Sequence, residues 1–302
     1  MENNLFQEFS NNKLHHSLLL VGKRGVGKFE IAKRLAIKIL GEGSEGLVNS
    51  RTHPDFLLIE KEEKEKEIKI EVVDKIKDFI QLSASMSKNK VIIVNAVDEM
   101  TEKVQNAILK MVEEPHRNTN ILLVCHNINN VLITIKSRCR KVSIPSLDYM
   151  SWKKAMIGGT QELYDMSGGS IYYANLILDN DGEKIARDIK DLLSQKVLNI
   201  EKLHVFADDI IKENNDEKPK KKAKENLKFM VFNELILNIL YNVLKYYTTD
   251  KIDDDLKDFA NRNNEKMILE KFNFVKNILT DVDRIYLNKK HSIVVCFLEL
   301  SK

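Results

Sequence analysis

Between Gly22 and Lys28 the chain reads GKRGVGK, a spacing of glycines and one lysine suited to holding phosphate. Glycines at 22, 25 and 27 let successive backbone N–H groups turn inward around phosphate oxygens, and Lys28 supplies a point charge. The next residue is Phe29, where phosphate loops that support hydrolysis carry Ser or Thr, and a phenyl ring has no oxygen to offer magnesium. Hydrolysis also requires an acid pair at the end of a neighbouring apolar strand, one member orienting the hydrated metal and the other activating water. In KVIIVNAVDEM that pair is Asn95 and Ala96. An amide can still join a hydration shell, but a methyl cannot accept a proton. Asp98 and Glu99 fall in the turn that follows, because the aliphatic run ends at Val94.

These residues need a sheet to position them, and the first half of the chain alternates short apolar runs with helical patterns, as a parallel sheet covered by helices does. Strands are expected at Ser17 to Val21, Phe56 to Glu60, Lys90 to Asn95 and Asn120 to Cys125, each short and nearly continuously aliphatic like strands buried on both faces. Helices are expected at Lys28 to Leu40, Val72 to Ser83 and Glu102 to Glu114, the last stopped by Pro115. The mixed charges of Glu60 to Glu67 read as a solvated loop or strand end. After Pro145 almost everything reads as helix. The breaker SGGS at Ser167 to Ser170 marks a joint within a small helical domain, and helical spacings of Ile, Leu, Val and Phe run from Glu183 to the end. The lysine-rich stretch Lys218 to Lys224 divides that region and reads as a solvated interhelix loop.

Composition narrows the class without naming it. The 302 residues, 43% hydrophobic and 31% charged, suit a soluble chain of two or three domains. A net charge of +3 neither demands nor excludes nucleic acid. The N-terminus lacks a basic flank followed by an apolar run, and the most apolar later stretch, Leu235 to Leu244, is interrupted by Asn238 and Asn242. A cytoplasmic protein with no membrane partner is expected. Cys125, Cys139 and Cys296 are far apart without a CxxC pair, which fits a reducing compartment and no zinc or disulfide framework. Cys125 and His126 end an inner strand and read as structural, because an adjacent Cys and His do not make a metal site. Trp152 reads as a packing anchor just after the sheet.

Several further segments together resemble one family. Gln105 to Pro115 (QNAILKMVEEP), Ile121 to Asn127 (ILLVCHN), Ile135 to Cys139 (IKSRC), His53 to Phe56 (HPDF) and the late SGGS run in the order found in the clamp-loader subunits of bacterial DNA polymerase III. The resemblance covers roughly the first 180 residues. It implies a RecA-like α/β core of the AAA+ class with a parallel sheet at 1–145, a small helical lid at 146–182, and an all-α C-terminal domain at 183–302 that assembles with sister subunits.

Hydrolysing members of that family keep the Ser or Thr, the acid pair, and an arginine just after the late glycines. This chain has Phe29, Asn95 with Ala96, and Tyr172 there, and a shift of one brings only Tyr173. The pattern resembles the non-hydrolysing delta-prime branch, which implies no required cofactor of its own and ATP bound by partner subunits. Whether Lys28 and the glycines still hold a nucleotide stays open. Some members carry a cysteine-bound zinc module before HPD, but Gly41 to Thr52 has no cysteine, so no metal is expected. The retained piece is Arg138, flanked by Ser137 and Cys139. In the family this arginine reaches a neighbour's nucleotide pocket, where a permanently charged, bidentate guanidinium stabilises the transferred phosphoryl group. Arg140 is a second arginine nearby. The implied partners are the ATPase subunits and the delta subunit, the sliding clamp, and primer-template DNA within the complex. Two rival readings are a self-sufficient ATPase using Lys28 with Asp98 or Glu99, and a stand-alone DNA-binding module resting on Lys218 to Lys224.

Overall fold

The computed structural model describes residues 2–62, 65, 67–115, 118–212, 226–284 and 287–302, and divides into two compact units, 1–146 and 147–302. The first unit runs α1 (Glu2–Ser10), β1 (Ser17–Val21), α2 (Lys28–Leu40), α3 (Ser44–Asn49), β2 (Phe56–Glu60), α4 (Glu71–Gln81), β3 (Lys90–Asn95), α5 (Glu102–Glu113), β4 (Thr119–Cys125), α6 (Ile133–Arg138) and β5 (Arg140–Ser143). All five strands pair in parallel in the order β2-β3-β4-β1-β5. The aliphatic runs account for this. Leu19, Ile92, Val94 and Leu123 point to one face of the sheet, and Leu18, Leu20, Val91, Ile93, Leu122 and Val124 to the other, each face burying its own apolar cluster.

Three strands begin and end where the sequence places them, and β4 starts one residue earlier. β5 was not expected. It is a four-residue edge strand with only Val142 buried, too short and too polar for an apolar run to reveal it. Helices α1, α3 and α6 were likewise missed. Two of them are six residues long, below the length at which helical periodicity can be read.

The HPDF turn has a definite job. The buried Asp55 carboxylate accepts hydrogen bonds from the backbone N–H groups of Ser85 (2.7 Å), Met86 (2.7 Å) and Ser87 (2.8 Å), and His53 Nδ1 accepts from Asp55 N at 3.1 Å. This pins the loop that leads into β3. At the same end Lys90 donates to the carbonyls of Phe79 and Leu82, satisfying the last turn of α4. Glu60 ends β2, and of the stretch from there to Glu67 residues 63, 64 and 66 lie outside the described residues.

The second unit is helical throughout its described residues: α7 (Tyr149–Ala155), α8 (Gln161–Ser167), α9 (Ile171–Asp179), α10 (Gly182–Ser194), α11 (Ile200–Ile211), α12 (Leu227–Thr249), α13 (Asp254–Asn261), α14 (Glu265–Arg284) and α15 (Lys289–Leu300). The SGGS breaker joins α8 to α9. Gly168 and Gly169 take φ of 59° and 75°, ending one helix in the left-handed region, and Ser170 caps the next by accepting from Tyr173 N at 3.1 Å. Trp152 is fully buried with Tyr164 edge-on at 5.5 Å, and a Cβ on Gly159 would fall 2.5 Å from its ring. One apolar core runs from Trp152 to Leu300, through α7–α9 and the helices beyond.

Helix α12 is long and apolar enough to cross a membrane by length and composition alone, yet it buries Phe229, Phe232, Leu235, Ile236, Leu240 and Val243 in that core. Asn238, one of its polar interruptions, donates to Met166 O at 2.7 Å. Lys218 to Lys224 lies outside the described residues.

Asp55 generates a test of the first unit. Burial alone would raise its pKa, but the amides of Ser85, Ser87 and Met86, with the charge of His53, outweigh burial and hold it below the ordinary 3.8. A depressed folded pKa adds stability that is fully present above the ordinary value and lost as pH falls through the folded one. Asp55→Asn is expected to lower unfolding free energy by about 1–3 kcal/mol at pH 7 and to flatten the acid limb of stability against pH, measured by urea titration between pH 2.5 and 7.

Candidate functional site

The phosphate loop follows β1 and runs into α2, so the first turn of that helix faces any bound anion. Gly25 and Gly27 hold φ of 79° and 88°, the left-handed region, and Gly27 occupies the position before the helix. Gly22 is glycine for another reason. A Cβ there would lie 2.3 Å from Ile144 O, because Ile144 N donates to Val21 O at 2.7 Å and brings the chain after β5 against the start of the loop.

Lys28 is 2% exposed and donates to the carbonyls of Gly22 at 2.8 Å and Lys23 at 2.6 Å. Its ammonium therefore fills the loop from within. Burial pulls its pKa down from 10.5 to about 8, against the favourable charge of Asp98 and with Arg24 adding repulsion. The neighbouring Phe29 packs against the apolar cluster of Leu5, Leu18, Leu20 and Leu35. Its ring belongs to the core beside the loop.

Asn95 ends β3 opposite Val124, and Ala96 follows in extended backbone, buried. The two acids beyond are both engaged. Asp98 accepts from the backbone N–H of His126 (2.9 Å) and Asn127 (2.8 Å), tying the turn after β3 to the end of β4. Glu99 forms an ion pair with Arg24 of the phosphate loop and another with Lys61 at 3.2 Å. Arg24 and Lys61 were not singled out in the sequence. Nothing in their spacing marks them, because β2, the loop and the turn meet only in the folded sheet.

At the end of β4, burial pushes the Cys125 thiol up to about 12, with Asp98 adding to it, so this sulfur is neither a nucleophile nor a ready metal ligand. Burial pushes His126 down to about 3, and the charges of Lys28, Arg24 and Lys61 push the same way. It stands neutral, with Nδ1 buried and without a hydrogen-bond partner. Among the described residues no group of three His, Cys, Asp or Glu side chains gathers as a metal site would.

Arg138 is the last residue of α6 and lies on the surface of the core, its side chain 35% exposed. Its Nε is 2.9 Å from Glu113 Oε2 at the end of α5, and Nη1 donates to Thr134 O at 3.2 Å. The Glu113 carboxylate beside it raises the pKa of an already permanent cation. Ser137 is exposed and donates to Thr134 O at 3.0 Å. Cys139 is buried, its thiol pushed up to about 12. Arg140 differs from Arg138 in its role. Both its Nη atoms donate to the Glu8 carboxylate, clasping α1 to β5.

Gln105 is what places α6. Buried on the Val104–Ile108–Val112 face of α5, it donates to Met100 O (3.0 Å) and Asn130 O (2.9 Å) and accepts from Leu132 N (2.9 Å). One amide thus fixes the turn after β3 and the approach to α6. A glutamine on an otherwise apolar helix face was the available signal. Tyr172 and Tyr173 open α9 in the second unit, their rings edge-on at 5.3 Å.

A parallel sheet ordered β2-β3-β4-β1-β5, a phosphate loop after β1 and an all-helical second unit define an AAA+ type protein. Residues 1–148 match the family model described as DNA polymerase III, delta subunit. The DNA polymerase III subunit delta' of Pseudomonas aeruginosa is 30% identical over 207 residues, 60% of this chain and 62% of that protein. The delta' subunit of Bacillus subtilis is 28% identical over 153 residues (47% and 46%), and a gamma subunit of Buchnera aphidicola is 32% identical over 142 residues (43% and 38%). The matched part spans between about two fifths and three fifths of these relatives. A crystal structure of a DNA polymerase III gamma subunit-related protein from Thermotoga maritima aligns over 99% of this chain and 98% of its own at 18% identity, with a TM-score of 0.48. Over residues 1–148, just under half of its length, the chain is therefore similar to the clamp-loader subunits of DNA polymerase III, the delta' subunits among them.

The buried Lys28 ammonium gives a stability signature. With a folded pKa of about 8 against 10.5, the unfolded chain binds more protons between those values, so stability rises with pH across that window. Lys28→Met is expected to raise unfolding free energy at pH 7 by about 1–3 kcal/mol and to abolish the rise between pH 8 and 10.5. Guanidinium titrations at pH 7, 8.5 and 10 measure both effects.

Proposed function

We propose that this chain is a non-hydrolysing subunit of a clamp loader, supporting the loading of a sliding clamp onto primed DNA and supplying Arg138 in trans to the nucleotide pocket of a neighbouring ATPase subunit. The observation that carries the reading is the state of its own loop. Phe29 is spent on the core, Ala96 stands where a base is needed, and Asp98 and Glu99 are already bound to backbone amides and to cations. On this reading none of these side chains, among the described residues, is left to activate water. Arg138, by contrast, presents a fixed positive charge from the surface of the core, held by an ion pair with Glu113 and a hydrogen bond to Thr134 O, and a phosphoryl group of higher charge would outcompete the carboxylate.

On this reading the chain needs no cofactor of its own, and ATP is bound by partner subunits. The interior contacts of Lys28 favour a loop that does not take up nucleotide. The partners are the hydrolysing subunits and the delta subunit, with clamp and primer-template DNA reached through the complex in the cytoplasm. Residues 146–182 act as the lid and 183–302 as the assembly domain. Tyr172 replaces the arginine that would report on a γ-phosphate.

Two assays test this. The isolated chain should show no ATP turnover above background, and Lys28→Ala should leave that background unchanged. In a reconstituted clamp loader, Arg138→Ala should lower turnover at the adjacent site by about a thousandfold, while Arg140→Ala should leave it within a few-fold. Unchanged turnover with Arg138→Ala would remove the trans role.

A further inference from the structure

In the second unit, residues of α10, α13, α14 and α15 line a partly open cavity of about 110 Å³, well beyond the ~10–15 Å³ that one water needs. Four cations line it: Lys196, Arg262, Lys271 and Lys302. Two are built into the wall. Arg262 donates to the last carbonyls of α10, from Nη1 to Gln195 O (2.6 Å) and from Nη2 to Leu193 O (2.8 Å) and Ser194 O (3.1 Å), and from Nε to Asp258 O (3.1 Å). Lys271, 7% exposed, donates to Asn263 Oδ1 (2.7 Å) and Leu300 O (3.0 Å).

Counting donors shows what each group has left to offer. A guanidinium has five N–H bonds and an ammonium three. Four of Arg262 and two of Lys271 are spent on neutral acceptors, which leaves one N–H on Arg262 and one on Lys271, both in groups that line the same cavity. Neither cation forms an ion pair among the described residues, and the carboxylate nearest by sequence to the cavity's end, Glu299, is held by Lys302 at 2.6 Å. Lys271 is buried while Arg262, Lys196 and Lys302 are exposed, so the pocket presents one inner and three solvent-facing cations, and none of the residues lining it is acidic. Burial and the nearby Arg262 both hold the Lys271 pKa below its usual value, against the pull of Glu299.

We propose that this cavity is a binding site for a small tetrahedral oxyanion of the inorganic phosphate class, seated between Arg262 and Lys271 with Lys196 and Lys302 at its mouth. The bound ion would accept the remaining N–H of the buried Lys271 and of the exposed Arg262. It would also join the end of α10 to α13, α14 and α15, so binding should stabilise this unit. The volume suits a free ion.

The test uses the full chain, ¹⁵N-labelled, titrated with inorganic phosphate against chloride at matched ionic strength. Saturable shifts are expected at Arg262 Nε–H and the backbone amides of Gln195 and Ser301, with a rise in the thermal midpoint. Lys271→Met should abolish those shifts in a chain shown by circular dichroism to be folded. Lys196→Gln, an exposed change that keeps the fold in any case, should weaken phosphate about threefold. Shifts confined to Gly22 to Lys28, shifts equal in chloride, or an unaltered affinity in Lys196→Gln with no loss in a folded Lys271→Met would overturn the proposal. So would a short single-stranded oligodeoxynucleotide producing the same shifts at lower concentration than phosphate, since the source would then be a nucleic-acid backbone.

Discussion

Asp98 is where the two halves of the sheet's working edge are joined. Its carboxylate takes the backbone N–H groups of His126 and Asn127, which would otherwise be unsatisfied where β4 ends, and so fixes the turn after β3 against the neighbouring strand. From that position its charge is the chief favourable influence on the buried Lys28 ammonium, and it adds to the rise of the Cys125 thiol. Remove this one anion and Lys28 would be left among Arg24, Lys61 and its own loop carbonyls. The loop keeps its shape because the sheet supplies a compensating charge from two strands away, and that same commitment keeps Asp98 from serving as a base.

The lysine of the phosphate loop is consequently hydrogen-bonded within the chain. In a working ATPase the lysine and the loop amides wait for phosphate, and an acid waits for metal and water. Here Lys28 turns onto Gly22 and Lys23, Arg24 pairs with Glu99, and Phe29 completes an apolar cluster. Each substitution has a structural destination. Under the proposed function, the loss of chemistry and the gain of packing are two descriptions of the same side chains.

Much of the sheet was legible in the sequence because its strands are short aliphatic runs buried on both faces, and the glycine loop was legible because its spacing is set by backbone geometry. What escaped detection was either short or tertiary. β5 exposes three of its four residues, and α3 and α6 are too brief for periodicity. The Arg24–Glu99–Lys61 ion pairs and the three amides on Asp55 join residues tens of positions apart, which no local pattern encodes. Gln105 stood in plain view inside a quoted motif. Its role emerges only once the carbonyls of Met100 and Asn130 and the amide of Leu132 are seen to converge on it. Arg138 and Arg140 looked equivalent in the chain, and only the fold separates them, by giving one a surface carboxylate and the other a clasp on α1.

Phe29 also bears on how such a chain can change over time. Restoring a hydroxyl there removes an aromatic ring from the cluster of Leu5, Leu18 and Leu20, a loss of about 1–3 kcal/mol for a partly buried ring, against a typical stability of only about 5–15 kcal/mol. A single reversion would bring instability and no turnover, because Ala96 would still lack a proton acceptor and Asp98 would still be bound. Several neutral or harmful steps would have to accumulate before any benefit appeared. Under the proposed function, the packed ring acts as a ratchet, making a departure from hydrolysis easier to enter than to leave.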